Sequence, residues 1–404
     1  MSAIAWPQWP GLLGAAPRFR YLWLSRSISA TGTGVARVAL VLLVAPSGPA
    51  AVSAVLLGTA LPQLLGPAAG AIADRVDQRR LLAGCEAGQG TVYLVIAVDR
   101  PPLPELLVLV TVAALLATAM SPAGRSSITR LVPDGRLPQA NALIGLALNL
   151  QLVAGPALGG LLAGLAGVTP AFALNAGSFF ASALLLTRLG PLPPPTASTR
   201  DGIMAETRAG LHYVARHRLV RGLALGMLVF VSFAAADNVT LVFLIRNSLH
   251  GSDLGYGVAN AAFGVGMAVA SVALAIGASR RPATFWLISG VVAGAIGMAV
   301  TGMAPVLALA CAGQALAGSG NTAELVGTDT LIQQSVAPAL LGRAFGVVYS
   351  AAQLGSVIAY LAASALVAFT NPRVAFLVAS AGMVAGLLVL GPTLGGAKPS
   401  RRGP

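Results

Sequence analysis

The sequence predicts an all-α membrane protein: twelve transmembrane helices in two pseudo-symmetric six-helix bundles. Three observations carry that expectation. The 404 residues are 56% hydrophobic and only 9% charged, whereas about a quarter of a soluble domain is charged. Twelve apolar runs are long enough to cross a hydrocarbon core about 30 Å thick. A proline-rich break at Pro191-Leu-Pro-Pro-Pro divides the runs six and six, and features recur across it at a near-constant offset.

The first run, 20–44, follows Arg18 and Arg20. It is too long for a signal-peptide core and is read as retained. Runs at 50–69, 81–98, 103–129, 138–165 and 169–189 complete the first half; 220–245, 254–278, 284–303, 305–331, 343–369 and 373–392 make the second. The expected division is therefore residues 1–190 as an N-terminal six-helix bundle, 191–219 as a cytoplasmic linker, and 220–404 as a C-terminal bundle and tail. Within the linker, Ile203, Leu211 and Val214 alternate with Arg208, Arg216 and Arg218 at roughly helical spacing, which predicts a basic helix lying along the membrane surface. Gly70 and Gly277 open the loops after runs two and eight, 207 residues apart, while Val132-Pro133 and Ala337-Pro338 follow runs four and ten, 205 apart. Such spacing predicts parallel repeats with a substrate path between them.

The net charge of +13 is sorted by side. With the N-terminus inside, cytoplasmic segments hold 20 of the 25 Lys and Arg, and the outer loops hold three, Arg100, Arg246 and Arg373. This is the positive-inside pattern. It predicts a multi-pass protein of the cell inner membrane with both termini cytoplasmic, and it leaves no basic excess to assign to nucleic acid. Cys85 and Cys311 both fall in spans and form neither a disulfide framework nor a metal motif. His212, His217 and His250 fall in or beside loops, no GxxxxGK[ST] loop is present, and the acids are dispersed, which argues against a primary pump and against a membrane enzyme. No cofactor is expected beyond a proton gradient. The expected partners are a small-molecule substrate and the lipid bilayer, with the chain acting as a monomer.

The loop after run two reads Gly70-Ala-Ile-Ala-Asp74-Arg75-Val-Asp77-Gln-Arg79-Arg80. It resembles the loop after the second helix in the major facilitator superfamily: Gly, three residues, Asp-Arg, one residue, Gly, then two or three basic residues. Asp77 stands where the second Gly is usual, and Gln78 where the first basic residue is. Run five holds Gly155-Pro156-Ala-Leu-Gly159-Gly160, similar to the end of a signature found in proton-coupled exporters of that superfamily. Pro122-Ala-Gly-Arg125, Asn175-Ala-Gly-Ser-Phe179 and Leu341-Gly-Arg343-Ala-Phe resemble the branch containing macrolide efflux proteins and the enterobactin exporter. The resemblance runs from about Arg18 to about Pro392. It implies the major facilitator fold, a gating role for Gly70, Asp74, Arg75 and Arg79, and export of drug-, macrolide- or siderophore-like molecules by proton antiport with alternating access. That branch often has an acid after a Gly in the first span; here Gly32 is followed by Thr33. A membrane sensor or scaffold that binds a small molecule without moving it is the alternative reading.

Ionisable residues inside spans are costly in lipid and are functional candidates on that ground. Arg37 and Asp237 each lie about 17 residues into runs one and seven, about 25 Å from the inner face. On repeat-equivalent helices they can pair when the outer side closes. Glu86 and Arg125 share a depth near the inner face and are expected to pair and brace the gate loop, while Arg26 is expected to snorkel to the headgroups. Asp237 and Glu324 are the expected proton-coupling carboxylates. Arg37, Asn149, Gln151, Asn175, Asn238, Asn260, Gln314, Asn321 and Gln353 are the expected cavity contacts.

Overall fold

The computed structural model describes residues 12–14, 16–66, 75–133, 136–193, 217–277, 281–336 and 340–394. The first six spans contain α1 (Pro17–Val44), α2 (Pro49–Ala60, continued by a 3-10 turn Leu61–Leu65), α3 (Gln78–Asp99), α4 (Leu103–Leu131), α5 (Leu137–Ala166) and α6 (Val168–Thr187). Span seven combines α7 (Arg218–Ala234), α8 (Asp237–Phe243) and a π turn, Leu244–Ser248. Spans eight to twelve are α9 (Asp253–Gly277), α10 (Ala283–Met303), α11 (Leu307–Ser335), α12 (Leu341–Phe369) and α13 (Pro372–Leu394). The fold is the expected twelve-span helical membrane architecture in two bundles. Among the described residues, nine helices pass as membrane-crossing on length and apolar composition alone. Proline in the first turn of α2, α4 and α5 starts those helices where the missing N–H costs nothing.

One span departs from expectation. The run 220–245 reads as one continuous helix, but the chain turns at Ala235-Ala236. Ala236 N–H bonds to the Phe233 carbonyl and Asn238 N–H to the Ala235 carbonyl, three residues back in each case, at 3.1 and 3.2 Å. The tightened turn has no Gly or Pro to announce it. It sets Asp237 at the start of α8.

The chain forms two compact units: Met1–Ala39 with Leu65–Arg200, and Leu40–Leu64 with Asp201–Pro404. The difference from a division at 190 is the segment 40–64. It joins the second unit because α2 packs on α12, where Ser53 donates to the Tyr360 carbonyl at 2.6 Å and Gln353 Nε2 to the Ala60 carbonyl at 3.1 Å. The expected interfacial helix lies at 194–216, outside the described residues.

In the first unit α3 packs on α6 and α4, with Tyr93 stacked on Phe172 and Phe179. One part of its core is built on Phe19, Leu22, Leu82, Leu186 and Leu189, all fully buried. The second unit is dominated by α10 against α11. A Cβ on Gly297 would lie 2.6 Å from the Gly313 carbonyl, and one on Gly290 2.6 Å from the Gly320 carbonyl. Glycine is therefore required for the two backbones to touch.

Candidate functional site

The loop before α3 is the first part of the site. Gly70 and Asp74 lie outside the described residues; Arg75 is exposed and Arg79 half-buried at the start of α3. The residue that organises the visible part is Asp77, the departure from the family pattern. Its Oδ1 accepts the Arg80 N–H at 3.0 Å, capping α3, and its Oδ2 accepts the Leu192 N–H at 2.8 Å. Burial tends to raise its carboxyl, but the two backbone N–H groups and the Arg79 and Arg80 charges outweigh that and hold it below the usual carboxylate range.

Around this cap the chain leaving α6 is clamped from three helices. Gln78 N–H bonds to the Leu192 carbonyl at 2.9 Å, and Arg130 of α4 to the Pro193 carbonyl at 2.6 Å. Arg18 of α1 reaches the carbonyls of Leu189 and Pro191, passing Gly190, whose φ of +71° suits a residue without a Cβ. None of these roles was assigned from the sequence. Asp77 ahead of an apolar run is a readable helix start, but Leu192 is a partner 115 positions away.

The second part is the glycine motif of α5. A Cβ on Gly155 would stand 2.6 Å from the Gly34 Cα of α1, and one on Gly159 would stand 2.7 Å from the Val35 carbonyl. Pro156 lies within α5, between these contacts. The motif thus lets α1 and α5 meet backbone to backbone, with Gly160 buried beside it.

Arg37 is exposed on α1 in the first unit, and Asp237 is half-buried in the second. Gln314 of α11, fully buried, donates Nε2 to Asp237 Oδ1 at 2.8 Å, so a neutral amide from span ten partners the acid of span seven. Glu324 of α11 is 2% exposed, and Thr328 one turn on donates to its Oε1 at 2.7 Å. Nearby, Tyr349 donates to Asp329 at 2.8 Å.

The expected Glu86–Arg125 pair does not form. Arg125 is exposed, while Glu86 is buried and is partnered by Ser29 of α1 at 3.2 Å, with Arg26 acting on it electrostatically. Equal depth is not equal direction: successive helix residues are about 100° apart, and it is Gly124, not Arg125, that faces Arg26. Arg26 accordingly lies inward over α4.

Of the cavity candidates, Asn175 is fully buried in α6 with Nδ2 lacking a hydrogen bond. Asn238 and Asn260 bond to carbonyls of their own helical segments, at 3.2 Å each. Gln353 bonds to Ala60 across α2 and α12. Gln151 lies against Gly34, and Asn321 is half-buried one turn before Glu324. The Asn149 side chain is outside the described residues.

Comparison with known proteins adds a family. The profile described as transmembrane secretion effector matches residues 14–393. YfiS of Bacillus subtilis, an uncharacterized MFS-type transporter, is 28% identical over 375 residues, 88% of each chain. The enterobactin exporter EntS of Citrobacter koseri is 28% identical over 414 residues, covering 96% of this chain and 95% of its own. Among solved structures, the nucleoside transporter NupG matches with a TM-score of 0.77 over 94% of this chain and 100% of its own, at 12% identity. That last likeness is one of fold.

Proposed function

Because this chain belongs to the transmembrane secretion effector family of major facilitator transporters, we propose that it exports small amphipathic or apolar molecules from the cytoplasm in exchange for protons, by alternating access. The observation that carries the direction is the similarity to an enterobactin exporter along nearly the whole length of both chains. The α1–α5 seam at Gly34, Gly155 and Gly159 supports it, since it occupies the place of the exporter signature. Drugs, macrolides and siderophore-like molecules are the substrate classes to try first.

Asp237 is the coupling carboxylate we favour, and Glu324 the second choice. Asp237 sits beside a break in span seven, and Gln314 supports one of its oxygens without neutralising it. A carboxylate so placed can take a proton on one side of the membrane and release it on the other. Asp74 is proposed as the gate residue of the loop before α3. Both termini are placed in the cytoplasm by the charge asymmetry of the loops.

Everted membrane vesicles incubated with a compound panel in the bath, with and without a proton gradient, test the reading. Export appears as accumulation that an acidic lumen drives and a protonophore abolishes. Binding without accumulation of any compound would make the protein a sensor and overturn the proposal.

A further inference from the structure

A buried polar cluster in the inner half of the first unit is not used by the loop, the glycine seam or Asp237. At its centre is Glu86 of α3, 1% exposed. Ser29 of α1 donates to its Oε1 at 3.2 Å, and its Oε2 has no hydrogen-bond partner. Ser182 of α6 stands beside the carboxyl, but its short contact, 2.7 Å, is with Ser25 of α1. The nearest cation is Arg26, also of α1; it acts on Glu86 electrostatically, yet among the described residues the two close no ion pair. The Arg26 guanidinium occupies the place that a Cβ on Gly124 of α4 would fill. The other titratable groups near Glu86 on the packed elements are few. Arg125 of α4 is exposed, Cys85 is its neighbour on α3, and Arg79 and Tyr93 lie two turns either way on the same helix. α6 offers no titratable side chain.

An ionised carboxylate here keeps one oxygen out of water with no donor, which is unfavourable unless a cation closes on it or a proton binds. Both remedies are within reach of this site, and they exclude each other. We propose that Glu86 is a proton-binding carboxyl of the N-terminal bundle whose ionised form draws Arg26 into an ion pair tying α1 to α3, and whose protonated form releases α1. The O–H bond forms at Oε2 with a proton taken from hydronium at the inner face, leaving water, and Ser182 Oγ can accept that new O–H while its own hydroxyl turns to Ser25. Because α1 also carries the Gly34 seam with α5, the state of this carboxyl acts on the helix that the export motif holds. The inference rests on the transport reading for its consequence and not for its test.

The test uses the purified full chain in lipid nanodiscs, without substrate, followed by infrared difference spectroscopy as pH is lowered. The protonated-carboxyl C=O band that grows in the parent should lose one component in Glu86→Gln, since the other carboxyls of the chain titrate in both. Arg26→Gln and Gly124→Ala, which remove or displace the cation, should each let that component persist about one pH unit or more higher. Either of these also serves if Glu86→Gln fails to fold. Identical spectra for the parent and Glu86→Gln would overturn the proposal, as would a component whose midpoint neither Arg26→Gln nor Gly124→Ala moves. A protein that exports nothing can still pass this test. An exporter whose Glu86 is silent in the spectrum refutes this inference alone.

Discussion

Two glutamates are equally withdrawn from water, Glu86 at 1% and Glu324 at 2% exposure, and they are held in opposite ways. Glu324 takes its hydrogen bond from Thr328, four residues along the same helix. Its backbone lies against Gly290, in a seam of α10 and α11 where a Cβ on either side meets main chain. Glu86 takes its bond from Ser29, 57 positions away on another helix, and leaves one oxygen unpartnered. The first environment travels with its own helix. The second is assembled from α1, α3 and α6, so it changes whenever those helices shift. Burial alone does not distinguish a sensor from a brace; the origin of the partners does.

The largest effect that would break this contrast is in the seam. Gly290→Val places methyl groups on the backbone of α11 near Glu324, and should destabilise the second unit by about 3 kcal/mol or abolish folding. Thermal unfolding in detergent measures it. A stable Gly290→Val protein would mean the seat of Glu324 is soft, and the contrast between the two glutamates would fail.

A middle-sized effect sharpens the contrast through the hydroxyls. Thr328→Ala should cost about 1–2 kcal/mol of stability, because it strips a donor from a buried carboxyl, while leaving the pH dependence of transport in place. Ser29→Ala should move the pH profile instead, since it removes the donor that favours the ionised Glu86. Parallel pH profiles and melts of the two variants decide whether the roles are as different as the geometry.

The smallest effect concerns Asp77. Asp77→Ala loses the cap of α3 and the tie to Leu192, and should cost about 1 kcal/mol. The folded carboxyl sits below its ordinary value, so its stabilisation is complete above the unfolded carboxylate value and is lost as pH falls through the folded one. Melts at neutral and acid pH should therefore differ between parent and Asp77→Ala only at the neutral end. Equal differences at both would show that the carboxylate charge is irrelevant to the cap.

Much of this was legible beforehand. Most helix ends fall within three residues of the apolar runs, because a span must match a fixed thickness of hydrocarbon and its ends are punctuated by Pro, Gly and Arg. The turn at Ala235-Ala236 was not legible, as alanine carries no signal for a break. Asp77 was readable as a helix start and as a departure from a pattern, but its bond to Leu192 in the linker was not. Glu86 was visible as a buried charge, but depth along a helix says nothing about which neighbour it faces. Arg26 was assigned to the headgroups for the same reason. The Gly155 motif was read correctly as small residues for close approach, and its partner Gly34 needed the packed helices to be identified.

The central claim is proton-driven export, and purified protein in liposomes tests it most directly. With the lumen acidified and a compound that passed the vesicle panel in a neutral bath, the account predicts accumulation inside together with proton efflux. Both should be lost in Asp237→Asn, with downhill exchange of the same compound retained. Accumulation that ignores the proton gradient, or an Asp237→Asn protein that still concentrates the compound, would contradict it.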